Sequence, residues 1–283
     1  MPLVFVPTPL GNLRDVTLRS LDVLREAEIV VAEDTRVARK LLAALGIEGR
    51  PIWSYREQNA KSVTAGILER AKTAVVAVTA DAGMPGISDP GSALVAAARR
   101  EGVPVEVLPG PSAATGVALL SGFPLRRFSV EGFLPRASGQ RRERFAAALR
   151  GEATTIWYES PQRIAAALTD LATVAPDAEV FLVREFTKLH EQQLAGTPRS
   201  VAERLGESPR GEIAFAVAPY AGLAAEAAAS VDPSAAIDEL LAGGQRVGEV
   251  AKALAARGLG DRRQLYAAAT ARKAARKRPL RER

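Results

Sequence analysis

Acids, hydroxyls and guanidinium groups are bunched at a few places in this sequence, each just after a short apolar run. Glu33-Asp34-Thr35-Arg36 follows IVVA at 29–32, Asp81 follows AVVAVT at 74–79, and Ser112 closes PGPS at 109–112. Later, Glu159-Ser160-Pro161-Gln162-Arg163 follows TTIWY, and Arg184-Glu185-Phe186-Thr187-Lys188 follows EVFLV. Groups of these types suit substrate positioning and proton transfer. Covalent and metal chemistry is poorly supplied: there is no cysteine, and His190 is the single histidine, which removes thiolate nucleophiles, disulfides and Cys- or His-rich metal sites. GxGxxG, a GK dipeptide and GxSxG are all missing, so the dinucleotide fingerprint, the P-loop and the nucleophile elbow are excluded.

The central stretch is ADAGMPGISDPG at 80–91. Its last seven residues hold four glycines or prolines, which rules out regular structure there. A tight surface turn is one reading. Asp81, Ser88 and Asp89 beside bare backbone favour the other, a ligand loop at the carboxyl end of a buried strand, where open α/β sheets bind.

The elements that must position these groups alternate. Apolar runs at 3–6, 29–32, 52–55, 74–79 and 105–108 read as buried strands. Helical patterns at about 17–26, 35–45, 62–71, 92–100 and 113–120 separate or follow them. That succession predicts a parallel sheet with right-handed crossovers. Gly122-Phe123-Pro124 breaks it, so the first domain is placed at 1–122 and a second α/β domain at 123–220. The second has strands at 128–133, 154–158, 179–183 and 212–217, helices at about 140–149 and 198–205, and Pro161 set to open a helix. A cleft between the two domains, with both contributing, is expected. Residues 221–230 read as an Ala-rich linker or loose helix, and 232–283 as a helical C-terminal domain with helices near 234–242, 246–257 and 261–274.

The net charge is +6, with 31 Arg against 7 Lys. Arg richness alone is most simply codon bias. Its placement says more: residues 272–283 carry Arg272, Lys273, Arg276, Lys277, Arg278, Arg281 and Arg283 against Glu282, and the rest of the chain balances. Such a tail suits a phosphate backbone, although a solvated terminus is the plainer reading. No apolar run is long enough to span a bilayer and MPLVFVPTPLG lacks a basic n-region, so no membrane partner and a cytoplasmic location are expected.

Seven strings in order carry a resemblance: TPLGNLRDVTLR at 8–19, AEDTR at 32–36, DAGMPGISDPG at 81–91, PGPSA at 109–113, GFLP at 132–135, YESPQR at 158–163 and REFTK at 184–188. The sequence resembles the tetrapyrrole methylase superfamily, and within it the branch acting on a cytidine 2′-hydroxyl of small-subunit (16S) ribosomal RNA, at or near the decoding centre. The resemblance implies a class III methyltransferase: two α/β/α domains, S-adenosyl-L-methionine in the cleft between them, and a homodimer. By position it carries the cofactor contacts to Leu10, Asp81, Gly83, Ile87, Ser88, Ser112, Ala113, Tyr158 and Ala214. Met84 departs from the family's usual threonine and Gln58 from a common histidine, so Gln58 can act only by hydrogen bonding.

A methyl transfer is an in-line displacement, so alignment should supply most of the acceleration, about 7–11 kcal/mol at best. Removal of the hydroxyl proton would add roughly 10²–10⁴-fold. Glu185 or Glu33 is the expected acceptor, with Lys188, Arg36, Arg163 and Arg184 holding flanking phosphates and Arg272, Lys273, Arg276 and Lys277 gripping RNA further out. An interdomain salt-bridge network is the competing reading of these charges. The rival functions are a tetrapyrrole C-methyltransferase on the same scaffold and a non-catalytic RNA-binding ribosome-assembly factor.

Overall fold

The computed structural model describes residues 2–87, 90–206, 209–220, 233–256, 259 and 261–276. The chain forms two compact units, residues 1–144 with 153–218, and residues 145–152 with 219–283.

The first unit contains both sheets. Strands β1 (Leu3–Val6), β2 (Ile29–Ala32), β3 (Ile52–Ser54), β4 (Val76–Thr79) and β5 (Val105–Val107) form an all-parallel sheet in the order β3-β2-β4-β1-β5. β1, β2 and β4 are buried along their whole length, which is why they read as unbroken apolar runs. Alternate side chains serve opposite faces. Leu3, Phe5, Val31 and Val78 pack with Ile67 and Leu68 of α3 (Ala60–Thr73) and Leu94 of α4 (Gly91–Arg100). Val4, Val6, Val30 and Ala77 pack with Leu24 of α1 (Leu18–Glu26) and Leu42 of α2 (Thr35–Ala44). The helix after β1 and the helix after β4 therefore lie on opposite faces, and a crevice at the carboxyl ends of this neighbouring pair follows.

The second sheet has the order β6-β7-β10-β8-β9 and is mixed. β6 (Phe128–Phe133) runs parallel to β7 (Thr154–Glu159). The central β10 (Ile213–Val217) is antiparallel to β7 and to β8 (Val180–Arg184), and β9 (Gln192–Gly196) closes the edge. The sequence pattern did not reveal β9: QQLAG has neither β-branched residues nor an apolar alternation. Nor does Pro161 start a helix. α7 begins at Ile164 with Arg163 as its N-cap, so Pro161 lies in the preceding turn. α5 (Ala113–Ser121) packs Ala114, Val117 and Ala118 on Ile156, Val183, Ala214 and Ala216. The last helix before the Gly122 break thus covers a face of the second sheet.

α6 (Ser138–Leu149) is tied to α7 (Ile164–Val174) by a buried ion pair. Arg141 reaches Asp170 at 2.7 Å, and Ser138 donates to the same carboxylate at 2.6 Å. α8 (Pro198–Leu205), capped by Thr197, precedes β10.

In the second unit, α9 (Ser234–Ala242), α10 (Val247–Ala256) and α11 (Arg262–Arg276) bury Ile237, Val250, Ala251, Leu254, Leu265 and Ala269 together. No helix among the described residues is long and apolar enough to cross a membrane.

Candidate active site

The loops leaving β1 and β4 are fastened to each other. Thr8 N–H donates to the Gly83 carbonyl at 2.9 Å, Gly83 N–H donates back to Thr8 O at 3.0 Å, and the Thr8 hydroxyl reaches Ala80 O at 3.1 Å. Gly83 has φ +78°, and a Cβ there would lie 2.9 Å from Leu10 Cδ2. The left-handed backbone favours glycine, and a side chain there would also push the tip of Leu10 aside. The loop after β2 joins through Asp81, whose carboxylate accepts the Asp34 N–H at 3.1 Å.

A cleft of about 410 Å³ opens here, with the second sheet on its far side. That volume is within the range of small-molecule sites. The first-sheet wall is Leu10, Glu33, Asp81, Gly83, Met84 and Ile87. Ser112 and Ala113 line it at the amino end of α5. Ser112 makes no side-chain cap bond there. Phe133, Tyr158, Glu159, Phe186, Gly211, Glu212 and Ala214 form the opposite wall. Burial raises the Tyr158 pKa, and the Ala114 N–H, donating to the phenolic oxygen, partly offsets this.

Of the nine expected cofactor contacts, Leu10, Asp81, Gly83, Ile87, Ser112, Ala113, Tyr158 and Ala214 line this single cleft. Ser88 lies outside the described residues. Gln58 is exposed and not part of the lining.

The three expected catalytic residues separate. Glu33 lines the cleft, while Glu185 and Lys188 sit behind its wall. Glu185 accepts from Lys188 Nζ at 2.8 Å and from Glu212 N–H at 2.9 Å, and Lys188 also reaches Glu212 at 3.2 Å. The Lys188 hydrogen bond holds the Glu185 carboxyl below its ordinary pKa against the opposing effect of burial. Burial works to lower the Lys188 pKa, but its bonds to Glu185 and Glu212 outweigh this and raise it. The loop is strained: Glu185 and Thr187 have φ of 55° and 65°, a conformation that persists only where the surroundings over-determine it. Gly211 makes room, since a Cβ there would stand 2.2 Å from Glu185 Oε1. Between the two strained residues Phe186 enters the cleft.

The arginines also divide. Arg36 forks onto Asp34 at 3.0 and 2.6 Å and is otherwise exposed. That bond holds the Asp34 carboxyl well below the usual carboxylate range. Arg184 donates to Gln192 at 3.0 Å and to Arg210 O at 3.3 Å. Arg163 turns inward, donating to Leu134 O at 2.5 Å and Pro135 O at 2.9 Å and pairing with buried Glu159 at 2.9 Å. In the second unit Arg272 pairs with Asp238 while Lys273 is exposed. The Arg276 side chain and Lys277 lie outside the described residues.

Sequence reasoning missed Phe133, Glu159, Phe186, Gly211 and Glu212 as cleft residues. The first three stand inside GFLP, YESPQR and REFTK, so their strings were noticed but not their aim. Gly211 and Glu212 precede β10, and only its antiparallel direction brings a strand's amino end to the cleft. No group of three or more metal-ligating side chains occurs among the described residues.

The sequence and the fold together place the chain in a class of methyltransferases that use S-adenosyl-L-methionine. Residues 2–202 match the family described as Tetrapyrrole (Corrin/Porphyrin) Methylases, and the chain belongs to that family. It is 43% identical over 214 residues to a Thermotoga maritima protein named Ribosomal RNA small subunit methyltransferase I, covering 75% of this chain and 95% of that protein. A Mesorhizobium japonicum protein of the same name is 40% identical over 243 residues, 84% of this chain and 80% of its own. Among solved structures, diphthine synthase superposes with TM-score 0.62 at 19% identity, covering 77% of this chain and 90% of that one. Uroporphyrin-III C-methyl transferase from Thermus thermophilus, complexed with S-adenyl homocysteine, gives 0.54 at 21% identity, covering 76% and 97%. These two likenesses speak to the fold.

Proposed function

We propose that the chain methylates small-subunit ribosomal RNA, at a cytidine 2′-hydroxyl at or near the decoding centre, working as a cytoplasmic homodimer. The observation that supports it is the convergence of eight separated residues on one cleft, together with relatives named for this class of RNA.

The cleft fits S-adenosyl-L-methionine by its chemistry. Gly83 lets the loop turn tightly against Thr8 and Leu10; Leu10, Met84 and Ile87 supply apolar walls to a flat group, and the Asp81 carboxylate suits a cationic end. The amino end of α5 at Ser112 and Ala113 suits a carboxylate. When bound, the cofactor supplies a methyl group on a sulfonium. Glu33, the candidate acid that lines the cleft, accepts the hydroxyl proton. Glu185 is kept ionised by Lys188 and lies outside the cleft lining. Its part is to position Phe186 and Lys188. Arg36 is the exposed cation left for a flanking phosphate, Lys188 is engaged by Glu185 and Glu212, and Arg163 serves the wall instead.

Incubating the protein with methyl-labelled cofactor and 30S particles, then digesting to nucleosides, is the test. Label is expected on a cytidine 2′-oxygen, and DNA of the same sequence should take none because it lacks that oxygen. Label on an added tetrapyrrole and none on RNA would establish the rival C-methylase. Tight RNA binding with no label on anything would establish a non-catalytic assembly factor.

A further inference from the structure

Phe133 is a large apolar side chain that lines the cleft and is nevertheless 62% exposed. Three features hold it in that position. The β6–β7 register slips between Val130 and Gly132, and such a bulge re-aims the residues that follow. Immediately after Phe133, Arg163 grips the carbonyls of Leu134 and Pro135 while its own charge is met by Glu159, whose side chain is fully buried. Beside it stands Tyr158, its register partner, with ring centroids 5.6 Å apart and planes tilted by 50°. Tyr158 is itself packed against the α5 cluster of Ala114, Val117 and Ala118.

We propose that Phe133 is the stacking platform for the unpaired acceptor base, with Arg163 and Glu159 as the residues that position it. This deepens the RNA reading and rests on it. A nucleotide modified on its ribose must leave its own stack, and proteins that hold single-stranded RNA offer such bases an aromatic face. Phe133 is the exposed aromatic ring of the cleft lining; Tyr158 and Phe186 are partly buried.

The variants F133A, F133W and R163K are compared with wild type for label transfer to small-subunit ribosomal RNA, cofactor affinity, oligomeric state and thermal midpoint. F133A is expected to raise KM for RNA by roughly 5–150-fold with cofactor affinity within twofold and the midpoint unchanged, and F133W to restore it. R163K should raise the same KM with a smaller effect. A cytidine-containing single-stranded oligonucleotide should quench F133W fluorescence beyond the wild-type signal of Trp53 and Trp157, and an abasic one should not. Equal KM for F133A and wild type overturns the proposal, as does a loss confined to cofactor affinity, which would make the ring a wall of the donor site. A shift in oligomeric state also overturns it, by assigning the ring to self-association. Absence of label on RNA with wild type is the separate failure of the RNA reading, whereas transfer by wild type and F133A alike with no quench is the failure of this one.

Discussion

Two carboxylates compete for one chemical role, and their surroundings separate them. Glu33 lines the cleft, and Glu185 is bonded to a lysine and a main-chain N–H behind it. E33Q should therefore lower kcat by roughly 10²–10⁴-fold with cofactor affinity preserved, measured by single-turnover label transfer. E185Q should act mainly on stability and RNA KM, because it loosens the loop that carries Phe186 and Lys188. The sign of its pH effect follows from the lowered pKa. The stability that the ionised group contributes is present above the ordinary carboxylate value and is lost as pH falls through the lowered one. The thermal midpoint of E185Q should accordingly fall below that of wild type at neutral pH and approach it in acid.

The central strands of the first sheet, β1, β2 and β4, were legible because each is buried on both faces. A run such as IVVA or VAVT needs no partner information to be read. The loop after β4 was legible for a different reason, its glycines and prolines. G83A tests that loop: with φ +78° and Leu10 within 2.9 Å of the new Cβ, the Thr8 bridge should open. The cofactor dissociation constant, measured by calorimetry, should rise by at least tenfold with the rest of the fold retained. The second sheet was only half legible. Strand direction is not written in apolar periodicity, so β10 could not be seen to bring Gly211 and Glu212 to the site, and β9 carries no pattern at all. α5 ends at a Gly122 with φ +68°, a good helix stop, yet the sheet it covers lies wholly after that break. Arg163 shows the same blindness in a single residue. A guanidinium near a cleft reads as a phosphate ligand until its carbonyl partners are known.

For the molecule as a whole, buried and exposed charges have different consequences. Arg141 and Asp170 are each about 8% exposed and their pair is closed by Ser138. D170A would strand a buried guanidinium and should cost roughly 3–5 kcal/mol in denaturant unfolding. The C-terminal unit supplies the other kind. Arg262, Arg263 and Lys273 are exposed on α11 with the half-exposed Tyr266, whereas Arg272 is spent on Asp238. If the first three meet phosphates, R262A/R263A should weaken binding to RNA regardless of sequence and flatten the salt dependence by about 0.7 per lost contact. R272A should lower the stability of the α9–α11 core without moving that slope.

The strand at the centre of the second sheet is the last to be made among the described residues, and residues just before and within it complete the pocket. During synthesis β7 and β8 are therefore without the neighbour that joins them until the chain has passed Val217. No nascent fragment shorter than that can complete this cleft, so ligand binding there should require a chain synthesised past Val217. Premature termination anywhere upstream should leave an inert product, with no half-built enzyme able to sequester the cofactor.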